Sequence, residues 1–280
     1  MAEKTDWQGA LGAKWASLAA IMERMLSPFG DEAMEALGPI EGRHSLDLGC
    51  GGGASSFALA HRGAASVIGV DVSPDLIALA ARRRAAETGP ARRVGFLCAD
   101  AAEARFSHPM EALFSQFGAM FFAAPIPAYT HLRRAMAPGA PLAIACWRTP
   151  KENEWATLAL GAAKSLLPPA PPADRRAPGP FGWSEPEESF APILAAAGWR
   201  DVSWRPVDHS VALGAGMEGA PLDAATRFAM ETGPLASRLR DLPASLKSRV
   251  EPLVREALAK RERAGRVEAS AAGWIVTARA

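Results

Sequence analysis

The chain has 280 residues, 49% of them hydrophobic, enough for one enlarged domain or a domain with a cap. Its 31 Lys and Arg nearly cancel its 30 Asp and Glu, so no net field recruits nucleic acid or an anionic membrane. Cys50, Cys98 and Cys146 are an odd number with no C-x-x-C spacing, which argues against a disulfide framework and a zinc site. Glu3, Lys4 and Asp6 precede the first apolar stretch, and Pro125 and Pro127 interrupt "FGAMFFAAPIPA". Neither an export signal nor a membrane span is therefore expected, and the expected location is the cytoplasm.

In chain order, residues 6–38 predict two helices, with Trp15, Leu18, Ile21, Met22, Met25 and Leu26 at helical spacing and a break at Ser27-Pro28. The pattern then alternates. Strands are expected at 44–50, 66–72, 93–100, 111–118 and 141–147, and helices at 54–62, about 74–87 and about 127–137. Ser73 suits an N-cap, Pro74 the first turn and Asp75 the helix dipole. Strands alternating with helices imply a mainly parallel α/β sheet. The basic runs Arg82-Arg83-Arg84 and Arg133-Arg134 read as solvated helix faces. Residues 168–186 hold seven prolines and no periodicity, which implies a long irregular segment. A helix is expected at 186–197, a strand or hairpin at 199–213, helices with breaks at Pro221, Pro234, Pro243 and Pro252 over 217–264, and a last strand at 273–279.

The first strand runs into "LDLGCGGG". In an open parallel sheet, ligands bind beyond the carboxyl ends of the strands, beside the first βα turn. Gly49, Gly51 and Gly53 lie at that turn, where a missing Cβ permits positive φ and close approach. Asp71 ends the second strand 22 positions after Gly49, placed to accept from ribose hydroxyls. A dinucleotide site shares these features, since "GCGGGA" also satisfies G-x-G-x-x-A. Asp47 inside the first strand separates the readings. Beside a pyrophosphate it would repel, whereas it would orient a cationic α-amino group, or merely brace the loop. Asp100, ending the third strand, can accept from an adenine amino group.

This set resembles the class I S-adenosylmethionine-dependent methyltransferases. "LDLGCGGG" is similar to their first motif, "VIGVDVSPDLIALA" to the second-strand segment and "FLCADA" to the third-strand acid. "DWQGALGAKW" resembles the W-N-G-x-x-G-x-x-W entry segment of a bacterial small-molecule subgroup, with Gln8 in place of Asn. "FSQFGAMFF" resembles its fourth-strand motif, with Gln116 in place of Arg; "PGPFGWSEP" and "GWIVTAR" also fit. The resemblance implies a Rossmann-like seven-stranded mainly parallel sheet with helices on both faces and an antiparallel last strand. It also implies an N-terminal helical lid and a helical insertion before that strand. The expected division is a lid at 1–40, a cofactor-binding core at 41–150 and a proline-rich loop with the sixth strand at 151–213. The insertion then spans 214–266 and the last strand 267–280.

With S-adenosyl-L-methionine as the implied cofactor, the expected contacts are Asp47, Gly49, Gly51, Gly53, Asp71, Val72, Asp100, Ala101, Gln116 and Phe117. Trp7, Trp15, Phe122, Trp147, Phe181 and Trp183, together with Phe29, come from segments that would rim one apolar acceptor chamber. His44, His61 and His108 read as structural or surface residues; His131 and His209 are the candidates for a base. No cluster of carboxylates and amides follows the fourth or fifth strand, so no metal is expected. "AAPIP" stands where [DNS]-P-P-[YFW] goes with methylation of nucleic-acid amines. The expected activity is methyl transfer to an O, N or C nucleophile of a small, largely apolar or aromatic molecule, with oligomeric state open. The rivals are an NAD(P)-dependent oxidoreductase, for which Tyr129 followed by Arg133 lacks Y-x-x-x-K, and a non-catalytic S-adenosylmethionine-binding module.

Overall fold

The computed structural model describes residues 6–169 and 178–280, so Glu3, Lys4 and the middle of the proline-rich segment lie outside the described residues. Five parallel strands come first: β1 (His44–Leu48), β2 (Ser66–Asp71), β3 (Val94–Cys98), β4 (Ala112–Gln116) and β5 (Pro141–Trp147). β6 (Arg200–Ala212) and β8 (Arg266–Arg279) follow, with the two-residue β7 (Glu262–Arg263) folded back on β8. The order is β3-β2-β1-β4-β5-β8-β6, and β8 runs antiparallel to both neighbours. This is the expected Rossmann-like sheet. All seven residues of β5 are buried, as a parallel strand covered on both faces requires.

The N-terminal segment differs from expectation. α1 (Ala10–Leu37) is one helix with Pro28 inside it. Proline deprives the Arg24 carbonyl of its helical donor, and the Ser27 hydroxyl donates to that carbonyl instead, at 3.2 Å. The apolar stripe also runs straight through the break: Leu18, Met22, Met25, Phe29, Ala33 and Leu37 are all buried. Burial of such side chains at roughly 1.5–3 kcal/mol each outweighs the ~3 kcal/mol cost of an interior proline.

α2 (Ala54–His61) and α3 (Pro74–Ala86) follow β1 and β2, and Ser73 caps α3 by accepting from the Leu76 N–H at 3.4 Å. α4 (Pro125–Arg134) begins earlier than expected because both prolines fit a first turn that needs no N–H donor. α5 (Glu154–Ala163), after β5, was not foreseen. α6 (Phe190–Ala196) precedes β6, which is one 13-residue strand and no hairpin. Between β6 and β8 lie α7 (Pro221–Glu231), α8 (Gly233–Leu239) and α9 (Ala244–Ala259). Pro221, Pro234 and Pro243 mark their starts, but Pro252 lies inside α9 without breaking it.

β8 starts at Arg266, before the Gly273 read from the apolar pattern and next to the 267 of the expected division. Trp147, Gly273 and Val207 share one level of the sheet, so residues 208–212 and 266–272 continue as a ribbon beyond the end of β5. That ribbon and α1, which meets the ends of β4 and β5 through Leu26 and Phe29, stand at the carboxyl edge where a site is expected. Among the described residues no helix is long and apolar enough to cross a membrane.

Candidate functional site

The loop leaving β1 is held by backbone. The N–H groups of Gly49 and Cys50 donate to the Val70 carbonyl at 2.8 and 3.1 Å. Gly49 (φ 70°) passes so close to Gly118 that a Cβ would lie 2.7 Å from its Cα, so only glycine fits. Gly51 (φ 53°) donates its N–H to Asp71 Oδ2 at 2.9 Å, and no atom lies within 4 Å of where its Cβ would stand. The backbone there borders open space. Gly53 caps α2.

Asp71 accepts from Ser73 N–H through its other oxygen at 2.9 Å, with Val72 between them. Burial pushes its carboxyl above the ordinary 3.8, and these N–H groups pull it back. Asp47 is fully buried, and one oxygen accepts from the Ser55 and Ser56 hydroxyls at 2.7 and 2.6 Å. Its Oδ1 has no partner, and burial raises the carboxyl from 3.8 to about 6. It thus braces the start of α2 with one oxygen and leaves the other unspent.

Asp100 is exposed and accepts from Ala102 N–H at 2.9 Å, while Ala101 is buried. His131 on α4 donates from Nε2 to the Ala104 carbonyl at 2.7 Å, which ties that helix to the loop after β3. Gln116 turns toward α1: its Nε2 donates to the Leu26 carbonyl at 2.8 Å, beside Gly30, whose missing side chain makes room for it. The first half of α1 is fastened on both sides. Glu23 pairs with Arg83, which also donates to the Gly52 carbonyl at 2.9 Å, and Lys14 pairs with Glu231 on α7.

Phe117 has φ 57°, a conformation costly for an aromatic residue and held only by dense surroundings. Its ring stacks on Trp147 with centroids 4.0 Å apart, and Phe29 meets both rings edge-on at 5.4 and 5.2 Å. Trp155 on α5 extends the group at 4.8 Å from Trp147, and Phe181 lies 6.4 Å beyond it. His209 stands edge-on to Phe29 at 4.7 Å; its buried Nε2 has no hydrogen bond and lies 4.0 Å from Glu32.

The seven expected rim residues fall into three groups. Phe29, Trp147 and Phe181 join the Phe117 group, Trp7 and Trp15 pack together with Phe121, and Phe122 and Trp183 contact Tyr129. Trp183 is buried between Tyr129 and Phe190, filling the gap between α4 and α6. Sequence reasoning also missed Asn153. Its fully buried amide donates to the Ala272 carbonyl at 3.1 Å and accepts from the Ala272 N–H at 2.9 Å, fastening the end of β5 to the ribbon. The signal was the capping box of Thr149 and Glu152 just before it. Arg148 beside it pairs with Asp208 and Glu152 over the Trp274 ring. A 410 Å³ cavity adjoins the ribbon, lined by His209, Asp208, Glu154, Arg261 and Glu268. A 280 Å³ cavity lies at β3, lined by Ile68, Leu97 and Phe106.

Residues 46–139 match a family model described as a methyltransferase domain. No curated protein sequence matches the chain. The YcgJ protein of Bacillus subtilis is similar in structure, with TM-score 0.56 at 12% identity over 90% of this chain and 98% of that one. Phosphoethanolamine N-methyltransferase 2 of Haemonchus contortus, in complex with S-adenosyl-L-methionine, matches with TM-score 0.57 at 16% identity, covering all of this chain and 60% of that one. The [4+2]-cyclase SpnF matches with TM-score 0.54 at 18% identity over 96% of this chain and 94% of that one. Identities this low show a shared fold. They leave the chemistry to be argued from the site.

Proposed function

We propose that this chain, whose residues 46–139 match a methyltransferase-domain model, is a class I S-adenosylmethionine-dependent methyltransferase that methylates an O, N or C nucleophile of a small, largely apolar or aromatic molecule. The acceptor class rests on one observation: where β4 and β5 end, the wall is the Phe29–Phe117–Trp147–Trp155 group. Phe29, Phe117 and Trp147 are almost wholly buried, so this packed group keeps water from the ends of β4 and β5, and it carries no fixed charge that would select a phosphate or a carboxylate.

The residues at the other end of the edge fit the cofactor. Gly51 borders open space, Asp71 keeps lone pairs for hydroxyl donors, and the unpartnered Asp47 Oδ1 suits a cationic amino group, directly or through water. Asp47, Gly49, Gly51, Gly53, Asp71, Val72, Asp100 and Ala101 are the proposed contacts. The bound cofactor supplies a methyl group on a sulfonium, already a strong electrophile. With the cofactor bound, the Phe29–Phe117–Trp147–Trp155 group would help hold an acceptor in line, where orientation contributes several kcal/mol.

Mass spectrometry of the ligand retained by purified protein tests the cofactor, and a screen of phenols, hydroxy acids and amines with labelled cofactor tests the acceptor. Retained S-adenosylhomocysteine and label transferred to a phenol or amine are the expected results. Tight NAD binding without S-adenosylmethionine binding would overturn the reading. Cofactor binding with no label transfer to any small molecule would point instead to a binding module.

A further inference from the structure

The two edges of the sheet are built differently. β6 presents Asp201, Arg205, Pro206 and Asp208 along its exposed positions, and its register with β8 shifts between Arg200 and Ser203. Charge, proline and irregular register are the usual protections of an edge strand. β3 has none of them. It reads Val-Gly-Phe-Leu-Cys, its register with β2 is unbroken, and Gly95, Phe96 and Leu97 are only half-buried. Among the described residues no helix covers one face beside it, because the connection from Cys98 to Ala112 is irregular and leaves a hollow there. The 280 Å³ cavity lies there, floored by Ile68 and Gly95 and walled by Leu97, Phe106 and Met110, with Arg105 and His108 at its rim.

We propose that β3 is a self-complementary interface through which two copies of this chain join their sheets, antiparallel, about a two-fold axis at Phe96. Three features match a second copy. The first is hydrogen bonding. Ala99 N–H donates to the Asp71 carbonyl at 3.0 Å, so by the alternation of a parallel pair Leu97 and Gly95 face β2, and the polar groups of Phe96 and Cys98 face outward. Val94 gives its N–H to Ala91 but still offers its carbonyl. Pairing about Phe96 sets Phe96 against Phe96 of the partner subunit and Cys98 against Val94 of the partner subunit, forming about four backbone hydrogen bonds.

The second feature is shape. The same register sets Leu97 opposite Gly95 of the partner subunit, twice. An added Cβ at Gly95 would meet only Ile68 Cδ1 at 3.3 Å and the Val67 carbonyl at 4.0 Å, so the position is a shallow pit that a leucine from across the strand covers. The third is charge. Exposed Arg92 and Arg93 precede β3, and exposed Asp100 and Glu103 follow it. An antiparallel arrangement brings the cationic start of each strand to the acidic end of the other. An extended segment of another protein would find the same hydrogen-bonding edge, but the leucine–glycine match and the charge inversion are properties of this chain toward itself.

Sedimentation velocity on the full chain from about 1 to 100 µM should show a reversible monomer–dimer equilibrium. Leu97→Asp should abolish the dimer, whereas Leu97→Ile keeps it. Arg92→Glu should raise the dissociation constant about tenfold, and Arg92→Glu combined with Asp100→Arg should restore it. In a Cys98→Ser background, Gly95→Cys with Leu97→Cys places thiols on a closely spaced cross-strand pair, so oxidation should trap a covalent dimer. That arm decides the matter even where Leu97→Asp fails to fold. A monomer at every concentration overturns the proposal and leaves the edge open to a different protein. A dimer that ignores both Leu97→Asp and the cysteine pair also overturns it, since its interface then lies elsewhere.

Discussion

The two ends of the sheet's carboxyl edge are held by different interactions. At the β1–β2 end, geometry is set by backbone and short polar side chains close in sequence: Gly51 on Asp71, Ser55 and Ser56 on Asp47, Ser73 on Asp71. At the β4–β5 end it is set by large side chains that meet across the fold. Phe29 packs on Trp147, Gln116 reaches Leu26, and Asn153 grips Ala272. The first end can therefore stay constant while the second is rebuilt by exchanging rings, which is how one scaffold serves many acceptors.

If the ends are independent, damage to one should spare the other. Trp147→Ala removes the stacking partner of Phe117 and a contact of Phe29, so we expect a loss of about 3–5 kcal/mol of stability in urea unfolding. Cofactor affinity, measured by calorimetry below the transition, should stay within about threefold of wild type. A parallel collapse of cofactor affinity would show that the two ends are one unit.

The buried Asp47 gives the next largest effect, and its sign is set by its carboxyl standing at about 6 in the fold against an ordinary 3.8. Between those values the folded state holds a proton that the unfolded chain releases. Asp47 thus costs stability progressively as pH rises through the window, and in full above it. The loss is on the order of 3 kcal/mol. Asp47→Asn should remove this slope and raise the melting temperature above wild type at pH 7.5 while weakening cofactor binding. A variant with unchanged pH dependence would mean that Oδ1 is already partnered, and that the carboxylate is not held in reserve.

The same division explains what was legible in the amino-acid sequence. Gly49, Gly51, Asp71 and the Ser73 cap could be read because their partners lie a few or a few tens of residues away, with spacing fixed by one strand and one turn. The parallel order followed from strand and helix alternation. The continuity of α1 through Pro28 was hidden, because it depends on burial of Phe29 and Ala33 against strands far along the chain. α5 was masked by its small, mostly apolar residues, which carry little periodic contrast. The scatter of the expected rim into three aromatic groups was equally hidden. Nothing in "FGWSEP" says whether Trp183 faces Phe117 or Tyr129, and only packing decides.

At the polar end, Asp71→Ala removes the acceptor that fixes both Gly51 and Ser73. Cofactor binding should weaken by about 1.5–3 kcal/mol, with the aromatic end intact. Near-ultraviolet circular dichroism reports the tryptophans, so its spectrum should match wild type. A changed aromatic spectrum would show that the loop also shapes the acceptor wall.

The smallest effects are expected at the histidines, one at each end. His131 spends Nε2 on the Ala104 carbonyl, so it is a strut for the loop after β3. His131→Ala should lower kcat less than about tenfold. His209 is better placed for chemistry: its Nε2 is unpartnered and its ring abuts Phe29, which touches both Phe117 and Trp147. Yet Glu32 Oε1 stands 4.0 Å from Nε2, beyond hydrogen-bonding reach, while Oε2 is engaged by Arg205 at 2.5 Å, so Glu32 does not fix the imidazole in one orientation. We expect His209→Ala to lower kcat less than about a hundredfold, the bottom of the range for losing a true general base. The comparison needs an acceptor whose nucleophile is already deprotonated and one whose nucleophile is not. Equal small losses on both fit orientation as the main source of rate. A loss near a thousandfold confined to the protonated acceptor, with cofactor affinity intact, would make His209 the base and give the aromatic end a proton-transfer role.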